Sequence, residues 1–375
     1  MALTACLALA LVMLAAAAAQ ARTIRVGHGD SIQAAVDQAN SGDTIQVRTG
    51  TYREDGQPCP AAPSHTCAVV VTKDNIKIVG LGKNVVLDNA GDQDEGIAVG
   101  KTDDPACLTD DSLQVNGSLI KGITVTDFED DGLFLYCVDG FRITQVRATG
   151  NLEYSIFPSH SFNGRVDRSF ASGANDTGFY VGQSQDVRMD HNVATENVSG
   201  YEIENSTGVR ADHNEAFGNT GGILSFTLPF LDVKQNSDNQ VDHNNVHDNN
   251  KANTCLDPED AVCGVPVGTG ILLVAADTNR VTQNTSTGND TFGIAVSNFC
   301  LGTNTPPEIC ALLDIQPDSD GNHITSNEVT GNGGNPDPDI APFFAVDLAW
   351  DTTGVGNCWS NNVFGTSFPD PLPAC

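Results

Sequence analysis

Glu202 and Glu204 are separated by a single apolar residue in the stretch Tyr201-Glu202-Ile203-Glu204. On an extended strand the side chains alternate between faces, so both carboxylates would share one face, about 7 Å apart. That spacing reaches the lower end of an inverting glycosidase pair, one carboxyl acting as acid and the other as base. Side by side on a flat strand, however, they flank a bond poorly, and a Ca²⁺ ion held between them is geometrically easier. Tyr180 stands 22 residues before Glu202, and Gly182 stands 22 before Glu204, where it would leave a hollow beside the second acid. A lyase or epimerase acting on a uronate needs a base at the sugar C5. His160 or Tyr180 could serve, with a cation neutralising the uronate. Tyr136, Phe157 and Phe226 would flank the acids as sugar-stacking platforms, and His160, Gln183 and Asn205 would stack at the strand ends. His160 falls on an odd position and could instead point into a corner. Two uses of this exposed patch follow: catalysis, and ligand binding without chemistry.

The elements that position these residues are written in a repeat. Thr177–Val198 and Ser199–Thr220 are consecutive 22-residue segments, in which Gly178 recurs as Gly200, Arg188 as Arg210, and Asp190-His191-Asn192 as Asp212-His213-Asn214. A period near 22 with short alternating apolar runs is the mark of stacked β coils. Gly132, Ser155, Gly178, Gly200, Gly222, Gly270 and Gly293 form one column. The residues that follow it (Leu133, Ile156, Phe179, Tyr201, Ile223, Ile271 and Ile294) should face inward, as should those two further on. Tyr180, Glu202 and Glu204 then face outward and break the apolar or small character of that face.

Three other columns read as scaffold. Arg142, Arg165, Arg188, Arg210 and Arg280 align, with Asp167, Asp190, Asp212 and Asp242 two residues on. Stacked like charges repel, so interleaved Arg and Asp columns should form a surface ion-pair lattice. Asn192, Asn214, Asn244, Asn284 and Asn327 align, as do Asn151, Asn197, Asn219, Asn249, Asn289 and Asn332. Stacked amides can bond rung to rung, and Asn tolerates the left-handed conformation at corners. His191, His213 and His243 stack beside them. Three histidines could hold a metal, but their tie to the repeat favours packing at the turns.

Ser31–Ala39 reads as a short amphipathic helix opened by a capping box at Asp30-Ser31-Ile32-Gln33. An open stack exposes its terminal core, and this helix would cap it. Strands are expected at Thr44–Val47, at Asn75–Val79 and Val85–Leu87 either side of Gly80-Leu81-Gly82, and, last, at Phe343–Leu348. Departures from the period place insertions at 228–235, 252–267 and 302–321, corners where loops shape clefts. Leu224, Phe226, Leu272 and Val274 make an outward apolar patch that the first two insertions should cover, or that a protein partner would.

Residues 1–21 read as an exported protein's signal peptide, apolar and Ala-rich with Ala19-Gln20-Ala21 at its end, and 22–375 as one domain. Cys6 sits in a sequence resembling a lipid-attachment box. No later stretch is long and apolar enough to span a membrane. The other ten cysteines fall into local pairs: Cys59 with Cys67, Cys107 with Cys137, Cys255 with Cys263, Cys300 with Cys310, and Cys358 with Cys375. Such short spacings inside polar loops suit disulfides in a periplasmic or secreted setting. With 18 basic against 48 acidic residues the net charge is −30. That excludes nucleic acid as an obvious partner and disfavours polyanionic glycans unless a cation bridges them.

The period, the Asn ladders and the opening SIQAAVDQANSGDTIQVRTGTYRE resemble right-handed parallel β-helix proteins of the pectate-lyase-like superfamily. YVGQS, YEIENS, TGGIL and GVPVGTGILLV are similar to bacterial exported "parallel beta-helix repeat-containing" proteins. The superfamily resemblance implies an all-β, right-handed parallel β-helix and a carbohydrate-active or carbohydrate-binding role. Family motifs do not transfer. Gly27-His28-Gly29 matches a polygalacturonase tripeptide but lies in the N-terminal cap, and the companion Asn-Thr-Asp and Arg-Ile-Lys are absent. The Asp-Pro-His-Asp of alginate epimerases and the Arg-x-Pro-x-x-Arg of lyases are absent too.

Overall fold

A computed structural model of the chain describes residues 21–375. Cys6 and all but the last residue of the expected leader lie outside them. The chain is a right-handed parallel β-helix. A full coil gives one strand to a front sheet and two short strands to a rear sheet: Thr177–Gly182, then Arg188–Asp190 and Val193–Thr195. The front sheet has 12 strands, running parallel from Ala62–Val71 through Glu95–Val99, Leu133–Tyr136, Ile156–Ser159, Thr177–Gly182, Ser199–Glu204, Gly221–Phe226, Thr269–Val274, Phe292–Ser297 and Leu348–Trp350 to Ser367–Phe368. The short strand Gln57–Cys59 joins its edge antiparallel.

The register is the one the glycine column implies. Leu133 pairs with Ile156, Ile156 with Phe179, Phe179 with Tyr201, Tyr201 with Ile223, Ile223 with Ile271, and Ile271 with Ile294. These residues and those two positions on form the interior, and Phe179 stacks on Tyr201 with ring centroids 5.0 Å apart. Gly178, Gly200, Gly222 and Gly270 are needed because a Cβ there would press on the carbonyl of the next coil.

Four arginines of the column grip the Asp of the following coil with two nitrogens: Arg142 to Asp167, Arg165 to Asp190, Arg188 to Asp212 and Arg210 to Asp242, at 2.7–3.1 Å, while Arg280 meets a coil with His323 and Thr325 in those places and makes no such pair among the described residues. The acids are 0–1% exposed, so the lattice expected on the surface has its carboxylates buried and only its guanidinium groups in water. Burial raises the carboxyl pKa of Asp167, Asp190 and Asp212, but hydrogen bonds from the arginines, with Thr144, His191 and His213, outweigh it and hold all three below the usual range. His191, His213 and His243 occupy left-handed corner positions and stack in parallel, with centroids 5.1 and 4.8 Å apart. Each Nδ1 bonds to the preceding Asp at 2.8–2.9 Å. Parallel rings at that spacing do not aim their nitrogens at one point, so the column packs a turn. Both Asn ladders are formed, with side-chain amides donating to the next Asn Oδ1 at 2.9–3.2 Å. Asn239, Asn279, Asn322 and Asn357 make a further ladder that period-based reading passed over.

The helix is Ile32–Gln38, with Ser31 as its N-cap and Ala39 as its C-cap. Gln33 does not complete a capping box. Glu54, 5% exposed, does that work instead, its carboxylate accepting from the Ile32 N–H at 2.7 Å and the Ser31 hydroxyl at 2.5 Å. Gln33 Oε1 accepts from the Val70 N–H, tying the helix to the front sheet. The early strands run longer than expected, as Thr44–Tyr52 and Lys77–Asp88, because they pair with each other across both former breaks, with an irregularity between Arg48 and Gly50. Near the C-terminus Pro342–Phe344 is a 3₁₀ turn, since the proline ring sets a helical φ, and the strand follows at Leu348–Trp350.

All five expected disulfides are formed: Cys59 to Cys67, Cys107 to Cys137, Cys255 to Cys263, Cys300 to Cys310 and Cys358 to Cys375. Six of these cysteines do not lie in polar loops as expected. Cys59, Cys67 and Cys358 are on strands, and Cys300 is in the short helix Phe299–Gly302. Cys137 is fully buried at the corner directly after Leu133–Tyr136, with φ 59°. The short strand Val115–Asn116 pairs with Val138–Asp139 and so brings the excursion that carries Cys107 back to that corner. Cys310 ends a short helix, Pro307–Cys310, whose first residue has the φ a helix needs. The insertion at 302–321 is therefore partly helical.

Candidate functional site

Outward positions on the front sheet bring Tyr180, Glu202 and Glu204 together. Tyr180 pairs in register with Glu202, and Gly182 with Glu204. The phenol folds across Gly182, filling the expected hollow, and its hydroxyl donates to Glu204 Oε1 at 2.8 Å. A methyl group at Gly182 would collide with the ring. The patch is covered rather than exposed: Glu202, Tyr180 and Glu204 are 3, 4 and 8% exposed. The Tyr180 ring lies over Gly182 with its hydroxyl on Glu204, and the next coil, where Leu224 pairs with Glu202, is covered by a loop. Val262, inside the disulfide-closed Cys255–Cys263 loop, and Val265, just after it, pack with Val198 and Leu224, and Phe226 and Leu272 join them. Phe226 is therefore tucked beneath a loop, and the apolar patch around Leu224 is covered by the chain itself.

Burial dominates the electrostatics. It pushes Glu202 up to about 7, assisted by the neighbouring Glu204 charge and offset in part by the hydroxyls of Ser199 and Thr177. Burial likewise pushes Glu204 up to about 7, the Tyr180 bond opposing and Asp176 assisting. Tyr180 itself is driven well above the usual phenol range by burial and by Glu204, so it keeps its proton near neutral pH and donates a hydrogen bond to Glu204, which opposes its use as a base. The expectation of a Tyr180 base is corrected on that ground. For Ca²⁺ the carboxylates must be ionised, and their surroundings oppose ionisation.

The aromatic residues form a run down the same face. Phe134 stacks on Phe157 at 5.7 Å and Phe157 on Tyr180 at 4.3 Å, while Tyr154 meets both Phe157 and Tyr180. Tyr136 and Phe157 are half-buried, leaving part of each ring available. Tyr136 lies 4.5 Å from the His160 ring. His160 has φ 49° and does turn into a corner. Its Nδ1 meets Ser159 Oγ at 2.9 Å and its Nε2 meets Asp232 Oδ2 at 3.2 Å. Burial lowers its pKa against the pull of Asp232, so it is a neutral imidazole with both nitrogens engaged.

Gln183 and Asn205 do not face the acids; they pin the loop at 228–235. Gln183 Oε1 accepts from the Asp232 and Val233 N–H groups at 2.8 and 3.3 Å. Asn205 donates to the Leu228 and Val233 carbonyls and accepts from the Leu228 N–H. Their assignment as substrate-binding residues is corrected accordingly: both ends of the Asn205 amide and the carbonyl oxygen of Gln183 are spent on backbone. Replacing both by alanine should free this loop and also lower the melting temperature, because Asn205 is fully buried and its backbone partners lose their bonds. Limited proteolysis well below both transitions should nick the double variant between 228 and 235 markedly faster than wild type. Equal cutting rates would show that the loop is held by other contacts.

A second group of acids, not singled out by sequence reasoning, runs up the corner before the front strands. Asp94, Asp130, Glu153 and Asp176 follow one another on successive coils through backbone bonds at 3.0–3.1 Å. Asp176 connects the column to the Glu202 pocket, each raising the other or its neighbours by charge. Burial and mutual repulsion push Glu153 up to about 7 and Asp130 to about 6. The signal was present: each lies two residues before Gly96, Gly132, Ser155 or Gly178.

No curated protein matches the sequence. Among solved structures the fold is similar to the Azotobacter vinelandii mannuronan C-5 epimerase AlgE6 A-module (TM-score 0.56, 16% identity, 90% of each chain covered). It is similar also to the periplasmic alginate epimerase AlgG (0.57, 14%, 92% of this chain and 73% of that one). The tailspike protein of E. coli bacteriophage HK620, solved with a pentasaccharide, gives 0.61 at 12% identity, covering 89% of this chain and 59% of that one. Identities this low speak to the fold alone. The sequence model of a family described as NosD, periplasmic copper-binding protein, matches residues 115–363. That span is well over half the chain and runs from the coil before Leu133–Tyr136 almost to the C-terminal strands, so the chain belongs to the NosD family.

Proposed function

We propose that this protein is exported, binds a polysaccharide along the outward aromatic run of the front sheet, and uses the carboxyl pair at its end to process it. The observation that carries the reading is the junction of Tyr136 and Phe157, half-buried rings that can stack on sugars, with Glu202, Glu204 and the proton-donating Tyr180. Carboxyl groups pushed up to about 7 exchange protons readily near neutral pH, the requirement for general acid–base work. Glu204 is the base in this reading and Tyr180 the acid beside it. The epimerases and the glycan-bound tailspike among the similar folds support a polysaccharide as ligand, and the five disulfides with the periplasmic family description support export. The protein-partner alternative loses its motive once the Leu224 patch is covered.

Binding without chemistry is the second reading, favoured by the 3–8% exposure of the acids. Copper is named in the family description, and for copper(I) the described residues offer a poor donor set. Their ten cysteines are bonded in pairs, Met189 is in the core, and the stacked histidines do not converge. Soft thiolate and thioether ligands are what copper(I) selects.

A glycan panel tests the proposal, with and without Ca²⁺, reading binding, unsaturated product and reducing ends. Wild type should bind, Tyr136→Ala with Phe157→Ala should bind weakly, and Glu202→Gln or Glu204→Gln should bind but not turn over. Binding with no product from wild type selects the second reading. No binding by wild type, or identical signals from all variants, defeats both.

A further inference from the structure

At the N-terminal end of the acid column, His65, Glu95 and Asp130 each place one ligand atom within 4.8 Å of the others. We propose that this cluster, with Asp131 behind it, is a binding site for a first-row divalent cation of the zinc or manganese kind. It is separate from the glycan surface and does not rest on that reading.

Three adjacent front-sheet coils build the cluster. Glu95 pairs in register with Cys67, two residues beyond His65, and the backbone of Asp130 and Asp131 bonds to Asp94 and Gly96. The Cys59–Cys67 disulfide fixes the outermost strand. His65 Nδ1 lies 2.8 Å from Glu95 Oε1 and 3.1 Å from Asp130 Oδ2. Ligands bound to one ion at about 2.0–2.2 Å lie roughly 3 Å apart in octahedral and somewhat farther in tetrahedral geometry, so little movement would turn these contacts into a coordination shell.

The simpler account is that a protonated His65 neutralises the acids. One proton on Nδ1 can be shared between Glu95 Oε1 and Asp130 Oδ2. It leaves Glu95 Oε2 and Asp131 Oδ1 buried with no hydrogen-bond partner at all. Glu95 is 1% and Asp131 3% exposed. Native interiors do not leave carboxylate oxygens unpaired without cause, because each costs on the order of a few kcal/mol. A divalent ion supplies the missing partner to Glu95 and offsets the like charges of Glu95, Asp130 and Asp131 together. The side chains of His65 and Asp130 are 34 and 19% exposed, so an ion has a way in.

The donor set narrows the ion. One imidazole nitrogen with carboxylate oxygens suits zinc or manganese. Calcium prefers six to eight oxygens and copper(I) prefers sulfur, while copper(II) takes the same nitrogen and oxygen donors and is excluded by availability and geometry, not by affinity.

The full chain, stripped with chelator, should be titrated with ZnCl₂, MnCl₂ and CaCl₂ by calorimetry, and its melting followed with each. Wild type should take up zinc or manganese saturably and melt higher. Glu95→Gln and Asp130→Asn should each weaken binding at least ~10-fold, while Glu202→Gln should bind as wild type does. Asp130 lies at the rim, so Asp130→Asn tests the site even if Glu95→Gln folds poorly, and melting in chelator checks both variants. Absence of saturable zinc and manganese binding by wild type, unchanged binding in Asp130→Asn, or tighter binding of calcium than of either metal would overturn the proposal.

Discussion

Asn219→Ala should be the most damaging single truncation in the stack, lowering stability by roughly 3–5 kcal/mol. Asn219 is fully buried and sits mid-ladder. Its amide donates to the Ala194 carbonyl at 3.1 Å and Asn249 Oδ1 at 2.9 Å, while its Oδ1 accepts from both the backbone and side-chain nitrogens of Asn197 at 3.0 Å. Alanine leaves the Asn197 donors and the Ala194 acceptor without partners in a space closed to water. Each orphaned buried group costs about 1–3 kcal/mol. In a solenoid the loss weakens the contact between neighbouring coils, so the damage concentrates at one interface. Asn332→Ala is the control, since that half-buried residue lies in the same ladder where water can replace the lost bonds. Guanidinium unfolding, read as a rate if it is irreversible, should separate the two variants widely. Equal effects would mean that the ladder owes its stability to the backbone and not to the amides.

That ladder also explains why the fold was legible. In a stacked coil, position n faces position n of the next coil, so burial, charge and turn conformation are each imposed on whole columns. Phe179 over Tyr201 and Arg188 beside Arg210 could be aligned from sequence because neither can shift by one residue without turning to the other face. Non-periodic contacts stayed hidden. Nothing near Ser31 announces that Glu54 will cap its helix, and Gln183 reads as a ligand-binding amide until the loop at 228–235 is seen to close on it.

The candidate site was half legible for the same reason. Tyr180, Glu202 and Glu204 stand out as exceptions within a column, but the Cys255–Cys263 loop that covers the neighbouring Leu224 belongs to no column. The corner acids were missed from the opposite cause. Asp130, Glu153 and Asp176 do form a column, yet acids before a glycine are ordinary turn residues, and only three-dimensional placement shows them joining Glu202 to the His65 cluster.

The burial of Glu202 and Glu204 has a consequence for stability that runs against the rest of the molecule. Both have a folded pKa of about 7 against an ordinary 4.5. Below 4.5 both the folded and the unfolded chain hold these protons, and no penalty arises. As pH rises from 4.5 through 7 the unfolded chain ionises first, so stability falls across that window and levels off above it. Asp167, Asp190 and Asp212 act with the opposite sign. Their lowered pKa values give stability that is present above their ordinary 3.8 and lost as pH falls through the folded values. Glu202→Gln/Glu204→Gln should therefore gain several kcal/mol over wild type at about pH 8, up to roughly 7 kcal/mol if both shifts act in full, and almost nothing at about pH 4.5. The amide that Glu204→Gln introduces can still accept from Tyr180, so the gain would report charge and not a lost bond. The groups facing the pair are Asp176, Tyr154 and Tyr180, none of them a cation, which leaves the carboxylates uncompensated once ionised. Melting curves of both proteins across that range decide it. A constant offset between them at every pH would show that the pair is already ionised and solvated in the folded state, and would remove its claim to acid–base chemistry near neutrality.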